Sequence, residues 1–230
     1  MGKASVPTGI NPFGFLGGPP KRHPANVRIF GVSLHFRLFR RNRLKMSKPI
    51  FHSTTVIGVI HNGVAAMGAD GQATLGSTVM KSNVRKIRKV GGGKVLAGFA
   101  GATADAFTLL ERFDEKLGQY GQNMKRAAVE LARDWRTDRF LRRLEAMLVV
   151  MNETDGMVIS GTGDVLEPDH KLLCIGSGGM YAQAAALTLL KHAPHLTAEQ
   201  IVREALATAA DICIYTNHNI DVQTLGNPNP

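Results

Sequence analysis

All of the chain's excess charge lies ahead of residue 54. Residues 1 to 53 hold ten lysines and arginines and no aspartate or glutamate, and six of the ten prolines (Pro7, Pro12, Pro19, Pro20, Pro24 and Pro49). The other 177 residues carry 18 basic and 18 acidic side chains, so the net +10 belongs to a leader and the body is neutral. A Pro-rich segment with no sustained hydrophobic period cannot bury enough surface to fold alone. The boundaries expected are therefore a basic leader over 1–53 and a folded domain over 54–230. The leader has four physical readings: a mitochondrial-type presequence, a nucleic-acid arm, untranslated sequence ahead of a true start at Met46, or an unusually long propeptide. A neutral body gives nucleic acid nothing to bind outside that leader. No apolar run approaches the ~18 to 20 residues that span a bilayer. Two cysteines, Cys174 and Cys213, are too few for a disulfide framework, which makes a reducing compartment the default.

From residue 54 the pattern becomes periodic. Thr54 to Ile60 and Val64 to Ala69 flank an Asn62-Gly63 turn and read as a hairpin. Val84 to Val90 and Lys94 to Ala100 read as a second pair, joined through Gly91, Gly92 and Gly93. Two helices follow, over 103–117 and 123–136, with Ala106, Leu110, Phe113 and Leu117 on one face of the first and Met124, Ala128, Leu131 and Trp135 on one face of the second. Strands resume at 146–151, 157–160 and 172–175. A helix over 180–192 precedes another that opens on a Thr197/Gln200 capping box and buries Ile201, Ala205, Ala209 and Ile212; a last strand falls near 220–225. Strands and helices in separate runs indicate an α+β layer architecture.

Several chemistries are absent. The eight histidines include no HExxH pair. The Gly91 to Lys94 run has Arg88 and Val95 where a phosphate-binding loop needs glycine and Ser/Thr. Gly176-Ser177-Gly178-Gly179 lacks the GxSxG spacing of a hydrolase elbow and reads as a strand-to-helix glycine turn.

The blocks TTVIGVIHNGVAAMGADGQATLGSTVMKSNVRKIRK, AGFAGATADAFTL, AVELARDWRTDRFLRRLEA, IGSGGMYAQAA and DICIYTNH occur in the order found in the HslV family, which they resemble: the proteolytic subunits of the bacterial two-component ATP-dependent protease, related to proteasome β subunits. The resemblance runs from Thr54 to about Leu225. It implies a four-layer αββα sandwich of the N-terminal-nucleophile hydrolase type, a double ring of two hexamers, a hexameric ATPase partner that feeds in unfolded proteins, and a cytoplasmic location in a bacterium. A mitochondrial matrix is the alternative if the leader is a real presequence.

It also implies roles for particular residues. Thr54, exposed by cutting the Ser53–Thr54 bond, would be the nucleophile, its own α-amino group serving as base; an unperturbed α-amine with pKa ~7.7 to 8.0 suits that task at neutral pH. Lys86 would stabilise the alkoxide and Asp70 would hold Lys86. If the segment is a strand, Lys86 shares a face with Val84, Arg88 and Val90. Ser177 would relay a proton near the terminus, and the Gly98 N–H would form the oxyanion hole. No cofactor is implied for catalysis. A structural monovalent cation, usually sodium, would bind main-chain carbonyls at Ala210, Cys213 and Thr216. Two features depart from the pattern: members have only a few residues before the threonine, where a start at Met46 would leave the eight residues MSKPIFHS, and Met180 stands where members often show proline. Rival readings are a non-catalytic barrel subunit, a nucleic-acid binder, and an amidohydrolase of the same nucleophile class acting on a small molecule.

Overall fold

The computed structural model describes residues 51–226 apart from Ser53, Ala102, Arg142, Arg143 and Glu145. The expectations for residues 1–50, Met46 among them, lie outside the described residues.

Among the described residues, twelve strands and four helices are ordered as β1 (Phe51–His52), β2 (Thr55–His61), β3 (Val64–Ala69), β4 (Ala73–Leu75), β5 (Thr78–Lys81), β6 (Ile87–Val90), β7 (Val95–Gly101), α1 (Thr103–Gln119), α2 (Met124–Thr137), β8 (Ala146–Met151), β9 (Gly156–Ser160), β10 (Val165–Leu166), β11 (Leu172–Gly176), α3 (Gly179–His192), α4 (Ala198–Ile212) and β12 (Asp221–Leu225). They form a four-stranded sheet, β11-β2-β3-β12, a five-stranded sheet, β10-β9-β8-β7-β6, and a small sheet, β1-β4-β5. Every pairing is antiparallel.

The layering follows from the period-two alternation of the two central hairpins. On β2, Val56 and Ile60 join Met67, Leu96, Val149 and Met151 between the two large sheets, while Ile57 and Val59 turn outward to Ile201, Val202 and Leu206 of α4. On β7, Leu96 and Ala100 face inward, and Ala97 and Phe99 pack on Leu109, Phe113, Leu131 and Trp135 of α1 and α2. Each strand is apolar on both faces because each sheet is covered on both. Three apolar layers between four structural ones give the expected αββα order. The Asn62-Gly63 turn has positive φ at both residues (50° and 76°), the two-residue turn that matches strand twist. The capping box is complete: Gln200 N–H donates to Thr197 Oγ1 at 3.2 Å, and Thr197 N–H donates to Gln200 Oε1 at 2.9 Å.

Three expectations need correction. The strand expected from Val84 starts only at Ile87, because the Val84 N–H donates instead to the Gly71 carbonyl at 2.8 Å and draws the chain away from the sheet. Lys86 therefore lies outside the strand, and consecutive Lys86 and Ile87 are both buried, which one strand face cannot accomplish. Ile212, placed on the buried stripe of α4, is 55% exposed and lines a groove between α3 and α4. The excursion through β4 and β5, and the short β10, were not foreseen; β5 is exposed at all four residues and carries no burial pattern that sequence alone could register.

Candidate active site

Thr54 sits at the start of β2, 3% exposed, where the outer ends of β2, β3 and β11 meet. Its carbonyl accepts the Ser177 N–H at 2.9 Å, with the Ser177 hydroxyl at 3.5 Å from the same oxygen. That hydroxyl distance is at the limit for an O–H···O contact, so the Ser177 backbone rather than its side chain anchors the segment. The glycines around Ser177 have a packing reason. Gly176, with φ +90°, faces the Thr54 carbonyl so closely that any Cβ would overlap it, and a Cβ on Gly178 would overlap the Thr55 and Thr216 hydroxyls. The glycine turn is thus also the wall against which Thr54 and Thr55 are pressed.

Asp70, at the end of β3 and 1% exposed, gathers the remaining groups. Its Oδ1 accepts both the Lys86 ammonium and the Thr55 N–H, each at 2.8 Å. Its Oδ2 accepts the Gln72 N–H at 2.8 Å and the Asn217 N–H at 3.4 Å. One carboxylate oxygen therefore joins Lys86 to the peptide immediately after Thr54. The pair is buried on both sides, with side-chain exposures of 2% and 0%, and a buried ion pair survives only when its remaining hydrogen-bonding capacity is filled; here two backbone amides take the second oxygen. Burial pulls the Lys86 ammonium below its usual 10.5, against the opposing attraction of Asp70. A buried lysine held by a single carboxylate in this way is a candidate for function. On the other side of β2, the Thr55 hydroxyl lies 2.7 Å from that of Thr216 and accepts the Gly178 N–H at 3.0 Å.

Gly98 is not brought to this point in the manner expected. It pairs with Ile87 on one side and Val149 on the other. The Phe99 N–H donates to the Lys86 carbonyl at 3.3 Å, and successive N–H groups along a strand point to opposite edges. The Gly98 N–H is therefore turned toward Val149, into the sheet. What Gly98 supplies is space, since a Cβ there would lie 2.8 Å from Val56 and 2.9 Å from the Met67 sulfur. Gly101, at the end of β7 with φ +124°, directs its N–H to the same edge as Phe99 but beyond the last β6 partner, where Val84 has left for Gly71. Sequence reading missed it; the signal available was the three-residue spacing of the glycines in AGFAG, which puts their amides on opposite edges.

Upstream, β1 lies antiparallel to β4, with Phe51 opposite Leu75 and His52 opposite Thr74. Phe51 and His52 thus run extended along the β4 edge. Ala210, Cys213 and Thr216 fall in and just after the last turn of α4. The Cys213 N–H closes on the Ala209 carbonyl at 2.8 Å, and the Thr216 N–H on the Cys213 carbonyl at 2.9 Å. Among the described residues no group of three or more His, Cys, Asp or Glu is gathered as metal ligands. Neither cysteine is positioned as a nucleophile: burial pushes the Cys174 thiol up to about 12, and Cys213 is buried at the end of α4. Alkylation of the folded protein with iodoacetamide at about pH 8, where an ordinary thiol is already partly ionised, is expected to leave peptide hydrolysis unchanged, as read by a peptidase assay before and after treatment. Loss of activity in step with alkylation would point to sulfur chemistry.

The two stacked sheets, the flanking helix pairs and a caged lysine that shares one carboxylate oxygen with the amide following Thr54 define the class, and the comparisons agree. The pattern of the family described as Proteasome subunit matches residues 50–225, and the chain belongs to that family. The ATP-dependent protease subunit HslV of Amoebophilus asiaticus is 66% identical over 173 residues, covering 75% of this chain and 97% of the relative; that of Cytophaga hutchinsonii is 65% identical, with coverages of 75% and 96%. The crystal structure of eukaryotic HslV from Trypanosoma brucei superposes with a TM-score of 0.72 at 41% identity, over 75% of this chain and 99% of that one. Within the family the chain is of the HslV kind: the proteolytic, threonine-protease subunit of an ATP-dependent protease.

Proposed function

We propose that Thr54, once its amino group is released, cleaves peptide bonds of unfolded proteins, with Lys86, Asp70, Ser177 and a backbone N–H at the end of β7 completing the machinery. The observation that carries this reading is the buried Lys86–Asp70 pair, joined through one carboxylate oxygen to the Thr55 amide. The Thr54 hydroxyl oxygen attacks the substrate carbonyl and its proton passes to the residue's own α-amine. The adjacent ammonium of Lys86 favours the developing alkoxide, and Asp70 keeps that ammonium charged and aimed. The tetrahedral oxyanion takes a backbone N–H, for which Gly101 is better turned than Gly98. Collapse expels the amine product, protonated by the Thr54 amine, and leaves an ester on Thr54. Water, deprotonated by the same amine, then hydrolyses the ester and restores the hydroxyl. The Ser177 hydroxyl, within reach of the Thr54 backbone, is assigned to relaying the proton.

Attack of the Thr54 hydroxyl on the Ser53 carbonyl would release Thr54 as well: because the Thr54 nitrogen is still an amide, the hydroxyl proton passes to water, the Ser53 acyl group shifts from that nitrogen to the oxygen as the nitrogen is protonated, and a second water hydrolyses the ester to leave a free α-amine and hydroxyl on Thr54. The pairing of β1 with β4 supports this, because it holds the residues upstream of that bond extended, as a peptide substrate would be. Self-assembly into two six-membered rings is supported by large apolar side chains left exposed on the single chain, Met180 at 75% and Ile214 at 80% among them; apolar surface of that kind marks contact faces. A hexameric ATPase of the HslU type is the partner proposed.

For the structural cation, Ala210, Cys213 and Thr216 fit a carbonyl-bound monovalent ion. The negative end of the α4 dipole points there, and no basic side chain occupies the last turn of the helix. Sodium bound there would hold the turn after α4; it enters no step of the reaction. The compartment proposed is the bacterial cytoplasm, supported by the bacterial relatives and the unpaired cysteines, with the mitochondrial matrix as the alternative if the basic leader acts as a presequence.

The experiment is degradation of an unfolded protein and of a short fluorogenic peptide by the purified protein, with and without a hexameric HslU-type ATPase and ATP. Peptide cleavage that rises with the ATPase, and protein degradation that requires it, are expected. Hydrolysis of small amides without any peptide cleavage would favour the amidohydrolase reading instead.

A further inference from the structure

The Asp70–Lys86 pair is built from two chain segments that leave the body together. Between them runs the β4–β5 excursion, half-buried to buried along β4 and exposed along β5, so something must fix the spacing of its two stems. One tie is the Val84 N–H on the Gly71 carbonyl at 2.8 Å. The stems are otherwise in bare contact, since a Cβ on Gly71 would overlap the Ser82 carbonyl oxygen.

The second tie comes from elsewhere in the chain. Asn217, half-buried in the loop after α4, accepts the Gly71 N–H on its Oδ1 at 3.1 Å and donates its Nδ2 to the Ser82 carbonyl at 2.9 Å. Its own N–H reaches Asp70 Oδ2 at 3.4 Å, and its Oδ1 also takes the Asn219 N–H at 3.1 Å, which fixes the orientation of the carboxamide. One side chain thus touches the residue after Asp70 on one stem and a carbonyl four residues before Lys86 on the other. A carboxamide is suited to this, having a donor and an acceptor at fixed separation.

We propose that Asn217 is a positioning residue for catalysis, clipping the two stems so that the Lys86 ammonium and the Asp70 carboxylate meet beside Thr54. The inference rests on the reading of Thr54 as nucleophile. Asn217 acts through the pair, its bonds running to the two stems and to Asp70. Its removal changes the rate of the bound complex and leaves substrate affinity alone.

Asn217→Ala in the assembled protease, with its ATPase and ATP, is expected to lower kcat for a fluorogenic peptide by about 10- to 100-fold, the scale of a roughly 1 Å misplacement, with KM within about twofold. The near-isosteric Asn217→Asp keeps the acceptor for Gly71 but loses the donor to Ser82, and its kcat should fall between wild type and Asn217→Ala. Asn219→Ala removes the other carboxamide bond to the Ser82 carbonyl, made at 2.8 Å, and tests whether anchoring that loop is all that matters; it should leave kcat near wild type. Wild-type kcat in both Asn217 variants, or an equal loss in Asn219→Ala, overturns the inference. A Thr54→Ala chain run alongside separates the two levels: if it still cleaves, the nucleophile reading fails, whereas if it is inert and the Asn217 variants are fully active, only this inference fails.

Discussion

Thr54→Ala protein is expected to assemble normally and to have lost peptide hydrolysis by at least about 10⁴-fold, the scale on which nucleophile removal acts in enzymes whose catalytic groups work as a unit. The structure gives the reason the loss should be so complete. Among the described residues, the hydroxyls at Ser177, Thr55 and Thr216 bond to backbone groups or to one another, and a hydroxyl paired in that way is not activated as a nucleophile in its own right. Thr54→Ser keeps the hydroxyl and the amine and should retain measurable turnover. A Thr54→Ala chain hydrolysing peptides near the normal rate would rule out the mechanism.

Lys86→Met should also lose most of its activity, and for a second reason lose stability. The methionine fills most of the space but leaves the Asp70 carboxylate 0% exposed without its cation. Breaking a buried pair on one side costs about 3 to 5 kcal/mol; the backbone amides that remain on Asp70 favour the lower end. Adding Asp70→Asn removes the orphaned charge, so the double variant should melt closer to wild type than Lys86→Met. Activity should not return, because the ammonium is still missing, with a rate loss of about 10²-fold or more, the scale of one lost electrostatic stabiliser. The alkaline limb offers a check without mutation. Because burial holds the Lys86 ammonium below 10.5, its charge is lost at lower pH than in an ordinary lysine. The rate should therefore fall as pH rises through a value under 10.5, while thermal melting at the same pH shows the chain still folded. Full activity in Lys86→Met would contradict the assignment.

Much of this was legible in the sequence where local rules decide. Asn62-Gly63, the Thr197/Gln200 box and the helix faces carrying Trp135 and Ala205 need only neighbours a few residues away. Thr54 and the Asp70–Lys86 partnership came from resemblance, and the geometry brings the latter two into contact. What escaped was non-local. Lys86 was assigned a strand face, but Val84 leaves the sheet for a bond to Gly71, a partner thirteen positions back that no periodicity reveals. Gly98 and Gly101 differ in use only because the Phe99–Lys86 bond sets which amides face which edge. Asn217 looks like an ordinary loop residue until the chain after α4 returns to Gly71 and Ser82.

Intact-mass measurement with N-terminal sequencing of an active preparation bears most directly on the proposal that a single residue supplies both hydroxyl and base. A chain whose first residue is Thr54, its mass showing the loss of everything through Ser53, is the expected result. Full activity in a preparation whose chains all retain residues ahead of Thr54 would contradict the account, since no free α-amine would then stand beside the hydroxyl.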